Sequence, residues 1–237
     1  QNVTGIGAGL SELARQLKHS RAAFELANGR LPQPVELVRV QRFGNTKFSA
    51  AIAEMQGWRG SHEDSHAVVL NPDSKSAVFL VLDGHGGDDA SQFCAPALAQ
   101  ALGAQLEPLA PGKLPEDSQL GAVFEQVDLQ LREHAKAKDT RCLRDIWYFG
   151  AGTTVIGSLI ATSADGSYTV KLLNLGDSRA IVIRGQDEEE AAAGRVSIRQ
   201  PTHLQELEDA AGTSSKWPLI FQTVDHKPNH PVEKARI

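Results

Sequence analysis

The sequence contains few cysteines. Only Cys94 and Cys142 occur among its 237 residues, and they do not form a Cys-x-x-Cys pair. This number and spacing argue against a disulfide framework and against a thiolate metal site. We therefore expect the protein to work in a reducing compartment, which is the cytoplasm or the nucleus.

A basic excess and a long apolar run are both missing. The chain has 24 Lys and Arg residues against 29 Asp and Glu residues, which gives a net charge of −5. Binding to a nucleic-acid backbone usually requires a basic excess. The best continuous apolar run is Ala77 to Leu82, whereas a membrane span needs about 20 residues. We therefore expect neither a nucleic-acid partner nor a membrane partner.

The first 34 residues are typical of a helical extension. Apolar residues lie near helical spacing over residues 10–24, and Asn28-Gly29 is a suitable end for the helix. Two prolines follow before residue 35. We predict that this Pro-containing stretch links the extension to a main domain over residues 35–237.

The main domain contains signals for strands and for two long helices. Strands are predicted at Phe48 to Ile52, Ala67 to Leu70, Ala77 to Leu82, Thr153 to Ala161, Tyr168 to Leu175 and Ala180 to Arg184. One helix is predicted from Asp88 or Asp89 to about Leu102, and another from Asp117 onward. Asp165-Gly166 is typical of a type I′ hairpin turn. This order favours an α+β fold over alternating βαβ units.

The segment Asp83-Gly84-His85-Gly86-Gly87 follows the strand predicted to end at Leu82. A carboxylate there is held rigidly, and Asp83 and the Gly84 carbonyl offer the oxygen donors that Mg²⁺ and Mn²⁺ prefer. His85, next to them, can exchange a proton near neutral pH. An ordinary Gly-rich turn before a capped helix is the open alternative. A dinucleotide fingerprint is excluded because Asp89 takes the place of its third glycine.

A second cluster contains Arg59 and the adjacent carboxylates of Glu63 and Asp64. An Arg guanidinium matches two phosphate oxygens, and a nearby acid can hold a divalent cation directly or through water. A surface salt-bridge cluster is the alternative. His62 and His66 lack further ligands at zinc spacing, so we expect them to be incidental.

A third cluster lies at Gly150 to Thr154 and at Gly176-Asp177-Ser178. Asp177 follows a predicted strand and is a further candidate metal ligand, with an ordinary hairpin turn as the alternative. The Gly-rich piece lacks the Lys of a phosphate-binding P-loop. Nucleotide binding is therefore not supported.

Together, and in this order, these segments resemble the protein phosphatase 2C family of metal-dependent Ser/Thr phosphatases. The matching segments are Met55 to Arg59 with Glu63 to His66, Phe79 to Gly87, Gly152 to Thr154, Asn174 to Ala180, and Asp225 to Pro228 with Glu233, Arg236 and Ile237. Five ordered matches are more specific than any single one. The resemblance implies two antiparallel sheets packed face to face with helices outside, which makes a four-layer α/β/β/α sandwich.

The resemblance also implies a metal site. Asp83 would bridge two Mg²⁺ or Mn²⁺ ions, the Gly84 carbonyl would add a ligand, and Glu63 would hold the second ion partly through water. Asp177 would hold a third, weaker ion.

The implied reaction removes phosphate from phosphoserine and phosphothreonine in proteins. Arg59 would bind the substrate phosphate, a metal-bridging hydroxide would attack phosphorus, and His85 would protonate the departing oxygen. We expect a monomer that acts on phosphoprotein substrates. Two alternatives stay open: a weak or inactive scaffold that binds phosphoproteins, and an enzyme for small phosphate esters.

The chain departs from the family pattern in two places. An insertion at about residues 200–222 contains a capping box at Thr202 and Gln205, which predicts an extra surface helix. Family members also continue past the Glu-x-x-Arg-Ile segment to late aspartates that complete the metal site, and this sequence ends at Ile237. A molecule that ended there would be expected to bind metal weakly and to turn over little substrate.

Overall fold

The computed structural model describes residues 30–73, 75–138, 151–183 and 219–236. These residues belong to two compact units, Gln1–Glu63 and Asp64–Ile237. The predicted N-terminal helix, the predicted surface helix after Pro201 and the residue Cys142 lie outside the described residues. The division into an extension over residues 1–34 and a domain over 35–237 stays a prediction.

The described part of the first unit, residues 30–63, contains four strands. They are β1 (Arg30–Val35), β2 (Arg39–Gly44), β3 (Ser49–Glu54) and β4 (Gly57–Arg59). Strands β2 and β3 form an antiparallel hairpin. The Asn45 side chain closes its turn, since Oδ1 accepts hydrogen bonds from the N–H groups of Lys47 and Phe48, both at 2.9 Å. Phe48 is buried beside this turn.

The structure differs from the prediction at the Pro-containing stretch. Instead of a link, it forms β1, which pairs antiparallel with β4 at Arg30↔Arg59 and Val35↔Gly57, with an irregular register between them. Proline has no N–H to donate and is therefore confined to edge strands or bulges. Pro32 and Pro34 fit in β1 because the pairing with β4 is interrupted between Arg30 and Val35, where no N–H from a proline is needed.

The second unit contains eight described strands. They are β5 (Ser65–Leu70), β6 (Ser76–Leu82), β7 (Gly84–His85), β8 (Gly152–Thr153), β9 (Val155–Thr162), β10 (Tyr168–Leu175), β11 (Ile181–Ile183) and β12 (Leu219–Gln222). Four of them form an antiparallel sheet in the order β10-β9-β6-β5. Short antiparallel ladders join β7 to β8 and β11 to β12. The strand predicted from Ala77 to Leu82 is therefore β6, one of the two inner strands of this sheet.

Helices α1 (Asp89–Leu106) and α2 (Asp117–Lys138) complete the core of this unit. Helix α1 packs on β5 and β6, and α2 packs on α1. The core includes Val78, Leu80, Leu82, Leu98, Leu102, Leu120 and Leu159. Because Val78, Leu80 and Leu82 alternate along β6, they share one face of the sheet. Both helix starts agree with the prediction, and the α+β fold class is confirmed.

The N-cap residue of α1 is Asp88, but its carboxylate accepts a hydrogen bond from Nε2 of Gln92 at 2.6 Å rather than from a helix N–H. A short helix α3 spans Pro231–Arg236. In the parts of the chain that the structure describes, no helix is long and apolar enough to cross a membrane.

The hairpin between β9 and β10 is confirmed, but its predicted turn type is wrong. Tyr168 pairs with Thr162, so the loop is five residues long and not the two residues of a type I′ turn. The Asp165 carboxylate accepts hydrogen bonds from the Ser167 N–H at 3.0 Å and from its hydroxyl at 2.7 Å. These bonds satisfy Ser167 within the loop and hold the pKa of Asp165 below its ordinary value.

Candidate active site

Asp83 follows the buried strand β6 directly, as the sequence predicts, and is exposed. Its N–H lies 3.3 Å from the Thr154 hydroxyl that accepts its hydrogen bond. Its carbonyl accepts hydrogen bonds from the Thr154 N–H at 2.9 Å and from the Thr153 hydroxyl at 3.2 Å. The backbone of Asp83 is therefore held on both sides. Its carboxylate has no hydrogen-bond or salt-bridge partner among the described residues, which leaves it available to a cation.

Gly84 and His85 form the two-residue strand β7, opposite Thr153 and Gly152. Gly84 is buried and His85 is exposed. A Cβ atom built on Gly152 would lie 2.6 Å from Nε2 of His85. The imidazole therefore packs against a residue that has no side chain. Gly86 and Gly87, with φ of 71° and 123°, then redirect the chain into α1.

The turn that carries Asp177 meets the Asp83 segment through Thr154. Gly176 has a φ of +101°, and a Cβ atom there would lie 2.7 Å from Cγ2 of Thr154. The Ser178 and Thr154 hydroxyl oxygens are 2.6 Å apart and share a hydrogen bond. The structure thus brings the Gly176-Asp177-Ser178 turn to the end of β6. Asp177 itself is exposed.

The next residue, Arg179, forms a bidentate ion pair with Asp225. Its Nε and Nη2 donate to Oδ1 and Oδ2 of Asp225, both at 2.9 Å. The Arg179 guanidinium, with help from Lys227 at 3.5 Å, holds the pKa of the Asp225 carboxyl below its ordinary value. The residues around Arg179 and Asp225 are also joined by backbone hydrogen bonds. The Thr223 N–H donates to the Ala180 carbonyl and the His226 N–H donates to the Gly176 carbonyl, both at 2.9 Å.

Arg59 and Glu63 belong to the first compact unit. The Arg59 carbonyl accepts a hydrogen bond from Nε2 of Gln56 at 2.9 Å, and Glu63 Oε1 accepts one from the Ser61 hydroxyl at 2.6 Å. Among the described residues, the Arg59 guanidinium has no carboxylate partner. Asp83, Gly84, His85 and Asp177 lie in the second unit. That Arg59 and Glu63 act together with them stays a prediction.

The donors of the second unit fit a hard cation that keeps part of its water. The described residues contain no group of three or more His, Cys, Asp or Glu side chains placed to hold a metal ion. Mg²⁺ is commonly bound by one or two carboxylates and retains several waters. The available Asp83 carboxylate fits such an ion, whereas a closed zinc-type cage of side chains does not form within the described ranges.

Sequence reasoning did not assign a role to Thr154, Ser178 or Gly152. Thr153 and Thr154 are adjacent and chemically identical in the sequence, and only the register of β8 against β7 and of β9 against β6 decides which hydroxyl reaches the Asp83 N–H. Gly152, which precedes them, was a usable signal in the sequence, because a glycine often marks a position where another group approaches the backbone closely.

The family model described as protein phosphatase 2C matches residues 48–237. A probable protein phosphatase 2C of Caenorhabditis elegans is 30% identical over 209 residues, covering 87% of this chain and 45% of the relative. A protein phosphatase 2C homologue of Schizosaccharomyces pombe is 30% identical over 215 residues, with the same coverage. The chain thus spans less than half the length of these relatives.

A similar solved structure is a serine-threonine phosphatase 2C from Toxoplasma gondii. It is 19% identical and superposes with a TM-score of 0.45, covering 87% of this chain and 57% of that one.

Proposed function

Because the chain belongs to the protein phosphatase 2C family, we propose that the protein removes phosphate from phosphoserine and phosphothreonine in proteins, in a reaction that requires Mg²⁺ or Mn²⁺. The observation that carries this proposal is the Asp83 carboxylate. It lies exposed at the end of a buried strand, and Thr153 and Thr154 hold its backbone. Its backbone is fixed and its carboxylate has no partner among the described residues, so the carboxylate can serve as a metal ligand.

Four residues would hold the ions. Asp83 and the Gly84 carbonyl would form the centre of the site, Glu63 would hold a second ion partly through water, and Asp177 would hold a third, weaker one. Bound ions would supply chemistry that the side chains lack, because they lower the pKa of water and neutralise charge on the phosphate.

The remaining roles belong to Arg59 and His85. Arg59 would bind two oxygens of the substrate phosphate, for which its guanidinium fork is well shaped. His85 would donate a proton to the Ser or Thr oxygen as its bond to phosphorus breaks. Both side chains are exposed, so a phosphorylated side chain on another protein can reach each of them.

The test is hydrolysis of a phosphoserine peptide by the purified protein with and without Mn²⁺. We expect Asp83→Asn to lower kcat/KM by about 1,000-fold or more, since metal-ion charge stabilisation supplies several kcal/mol. Asp128→Asn is the matched control, because it removes an exposed carboxylate that pairs with Arg132 on α2. Turnover that survives Asp83→Asn would overturn the assigned mechanism.

Two other results would favour the alternative functions. A phosphopeptide that binds tightly but is never hydrolysed with Mn²⁺ present would indicate a phosphoprotein-binding scaffold. Faster turnover of p-nitrophenyl phosphate than of any phosphopeptide would indicate an enzyme for small phosphate esters.

A further inference from the structure

The side chain of Thr154 lies between two turns that carry candidate metal ligands. Its hydroxyl oxygen is 3.3 Å from the Asp83 nitrogen and 2.6 Å from the Ser178 hydroxyl oxygen. Asp83 directly follows β6, and Ser178 follows Asp177 in the turn after β10. One hydroxyl group therefore connects two stretches that are far apart in the sequence.

The methyl group of Thr154 has a separate contact. It packs against Gly176, where an added Cβ atom would lie 2.7 Å from Cγ2 and 2.9 Å from Cβ of Thr154. The two branches of the side chain can therefore be removed one at a time. Valine keeps the branched shape without the hydroxyl, and serine keeps the hydroxyl without the methyl.

We propose that the Thr154 hydroxyl is a positioning group that ties the Asp83 backbone to Ser178 and so fixes the Asp83 carboxylate relative to the turn that bears Asp177. Only the use of these two carboxylates as metal ligands rests on the proposed function. The physical coupling of the two turns rests on the contacts themselves.

The hydroxyl is suited to this task because it bonds in two directions at once. A hydroxyl has one donor and two acceptor sites, so it can accept from the Asp83 N–H while it shares a hydrogen bond with Ser178. Valine would leave the Asp83 N–H without this acceptor and Ser178 without this partner. Loss of a group that orients a metal ligand typically lowers metal affinity or activity about 10- to 100-fold.

The test compares Thr154→Val, Thr154→Ser and a control at the other end of β9. The control is Thr162→Val, because the Thr162 hydroxyl also bonds to a distant backbone group, although it donates, to the Lys75 carbonyl at 3.2 Å, where Thr154 accepts from an N–H. If the threonine hydrogen bonds contribute only to stability, their loss should lower the stability of both valine variants. Only the positioning role predicts a specific effect at Asp83 and Ser178.

The first readout is amide hydrogen exchange of the purified protein without metal. We expect Thr154→Val to speed exchange at the Asp83 amide and in residues 176–178, and we expect Thr154→Ser to keep the wild-type protection. Thr162→Val should leave both regions unchanged. Unchanged exchange at both regions in Thr154→Val would overturn the proposal.

The second readout is the Kd for Mn²⁺ alone, measured by calorimetry in Thr154→Val, Ser178→Ala and the double variant. Thr154→Val should raise the Kd about 10- to 100-fold, with Thr154→Ser close to wild type. If the two hydroxyls act through each other, the double variant should be no worse than the worse single variant. Additive effects, or a wild-type Kd in Thr154→Val, would contradict the positioning role.

The two readouts separate this proposal from the proposed function. A wild-type protein that neither binds Mn²⁺ nor hydrolyses a phosphopeptide would refute the metal-dependent function. The exchange measurement would still decide whether Thr154 couples the two turns.

Discussion

The imidazole of His85 packs against the Cα atom of Gly152, across the short ladder of β7 and β8. A methyl group on residue 152 would come within 2.6 Å of Nε2 and 2.8 Å of Cε1 of that ring. Both distances are too short for non-bonded carbon and nitrogen atoms, so the ring keeps its place only while residue 152 has no side chain. Glycine at this position therefore helps to place the candidate general acid.

Gly152→Ala should displace the His85 ring and lower kcat for a phosphopeptide about 100-fold or more, which is the usual contribution of a well-placed general acid. The Kd for Mn²⁺ should stay near the wild-type value, because Asp83 keeps its backbone bonds. Gly121→Ala is the control, since a methyl group there meets nothing within 4 Å on α2. An unchanged kcat in Gly152→Ala would show that His85 does not need this packing.

Gly157→Ala should destabilise the protein without touching the candidate site. A Cβ atom at residue 157 would lie 2.5 Å from Cδ2 of Leu80 and 2.6 Å from the Phe79 carbonyl oxygen. The carbonyl belongs to the backbone of β6 and cannot rotate away. We expect a loss of about 1–3 kcal/mol in the free energy of unfolding, as is typical of overpacking. Urea unfolding measures this loss, and Gly103→Ala, with its nearest contact at 3.5 Å, should show none of it.

The Arg179–Asp225 ion pair should contribute to stability in a pH-dependent way. The pKa of Asp225 is lower in the folded protein than its ordinary value of 3.8. A carboxyl group whose pKa is lower in the folded state stabilises the fold at pH values above its pKa in the unfolded state. This stabilisation is lost as the pH falls through its pKa in the folded state. Asp225→Asn should therefore be less stable than wild type at pH 7, and the difference should shrink steadily below about pH 4.

Thermal unfolding of both proteins between pH 7 and pH 2.5 measures this difference. Glu233→Gln is a useful comparison. Arg236 also lowers the pKa of Glu233, but this ion pair lies on the exposed helix α3. A stability difference for Asp225→Asn that is the same at every pH would show that the charge of Asp225 contributes nothing.

The Cys94 thiol should be unreactive in the folded protein. Burial, with a smaller effect of Asp128, raises its pKa to about 11, and the thiolate is the reactive form. Iodoacetamide at pH 8 should leave Cys94 unmodified in buffer and modify it fully in urea, as read by peptide mass spectrometry. Equal labelling rates in the two conditions would contradict the burial of this side chain on α1.

The parts of the fold that could be predicted depend on local pattern. The apolar run Ala77 to Leu82 predicted β6, and the stripe after Asp117 predicted α2, because periodicity reports which face of an element is buried. The position of Asp83 followed from β6. The residues that carry the family resemblance then supplied roles for Arg59, Glu63 and His85, and those roles stay predictions.

The parts that could not be predicted depend on contacts between distant residues. The prolines at 32 and 34 pointed to a link, yet β1 forms because β4 offers it a partner at Gly57 and Arg59. Asp165-Gly166 has the composition of a two-residue turn, but hydrogen bonds to Ser167 lengthen the loop. Likewise, the two bonds of the Thr154 hydroxyl, to the Asp83 N–H and to Ser178, depend on the register of β9 against β6 and β10, which no short window of sequence contains.

The pairing of β11 with β12 has a consequence for how this chain can vary in length. Ile183 pairs with Leu219, and Arg179 binds Asp225, so the two ends of the intervening stretch are held next to each other. Once the ends of a stretch are held, each doubling of its length costs only about 0.6 kcal/mol in closure entropy. The Asp177 turn is therefore held by β12 and Asp225, which lie far along the chain, and its position does not depend on how many residues separate β11 from β12.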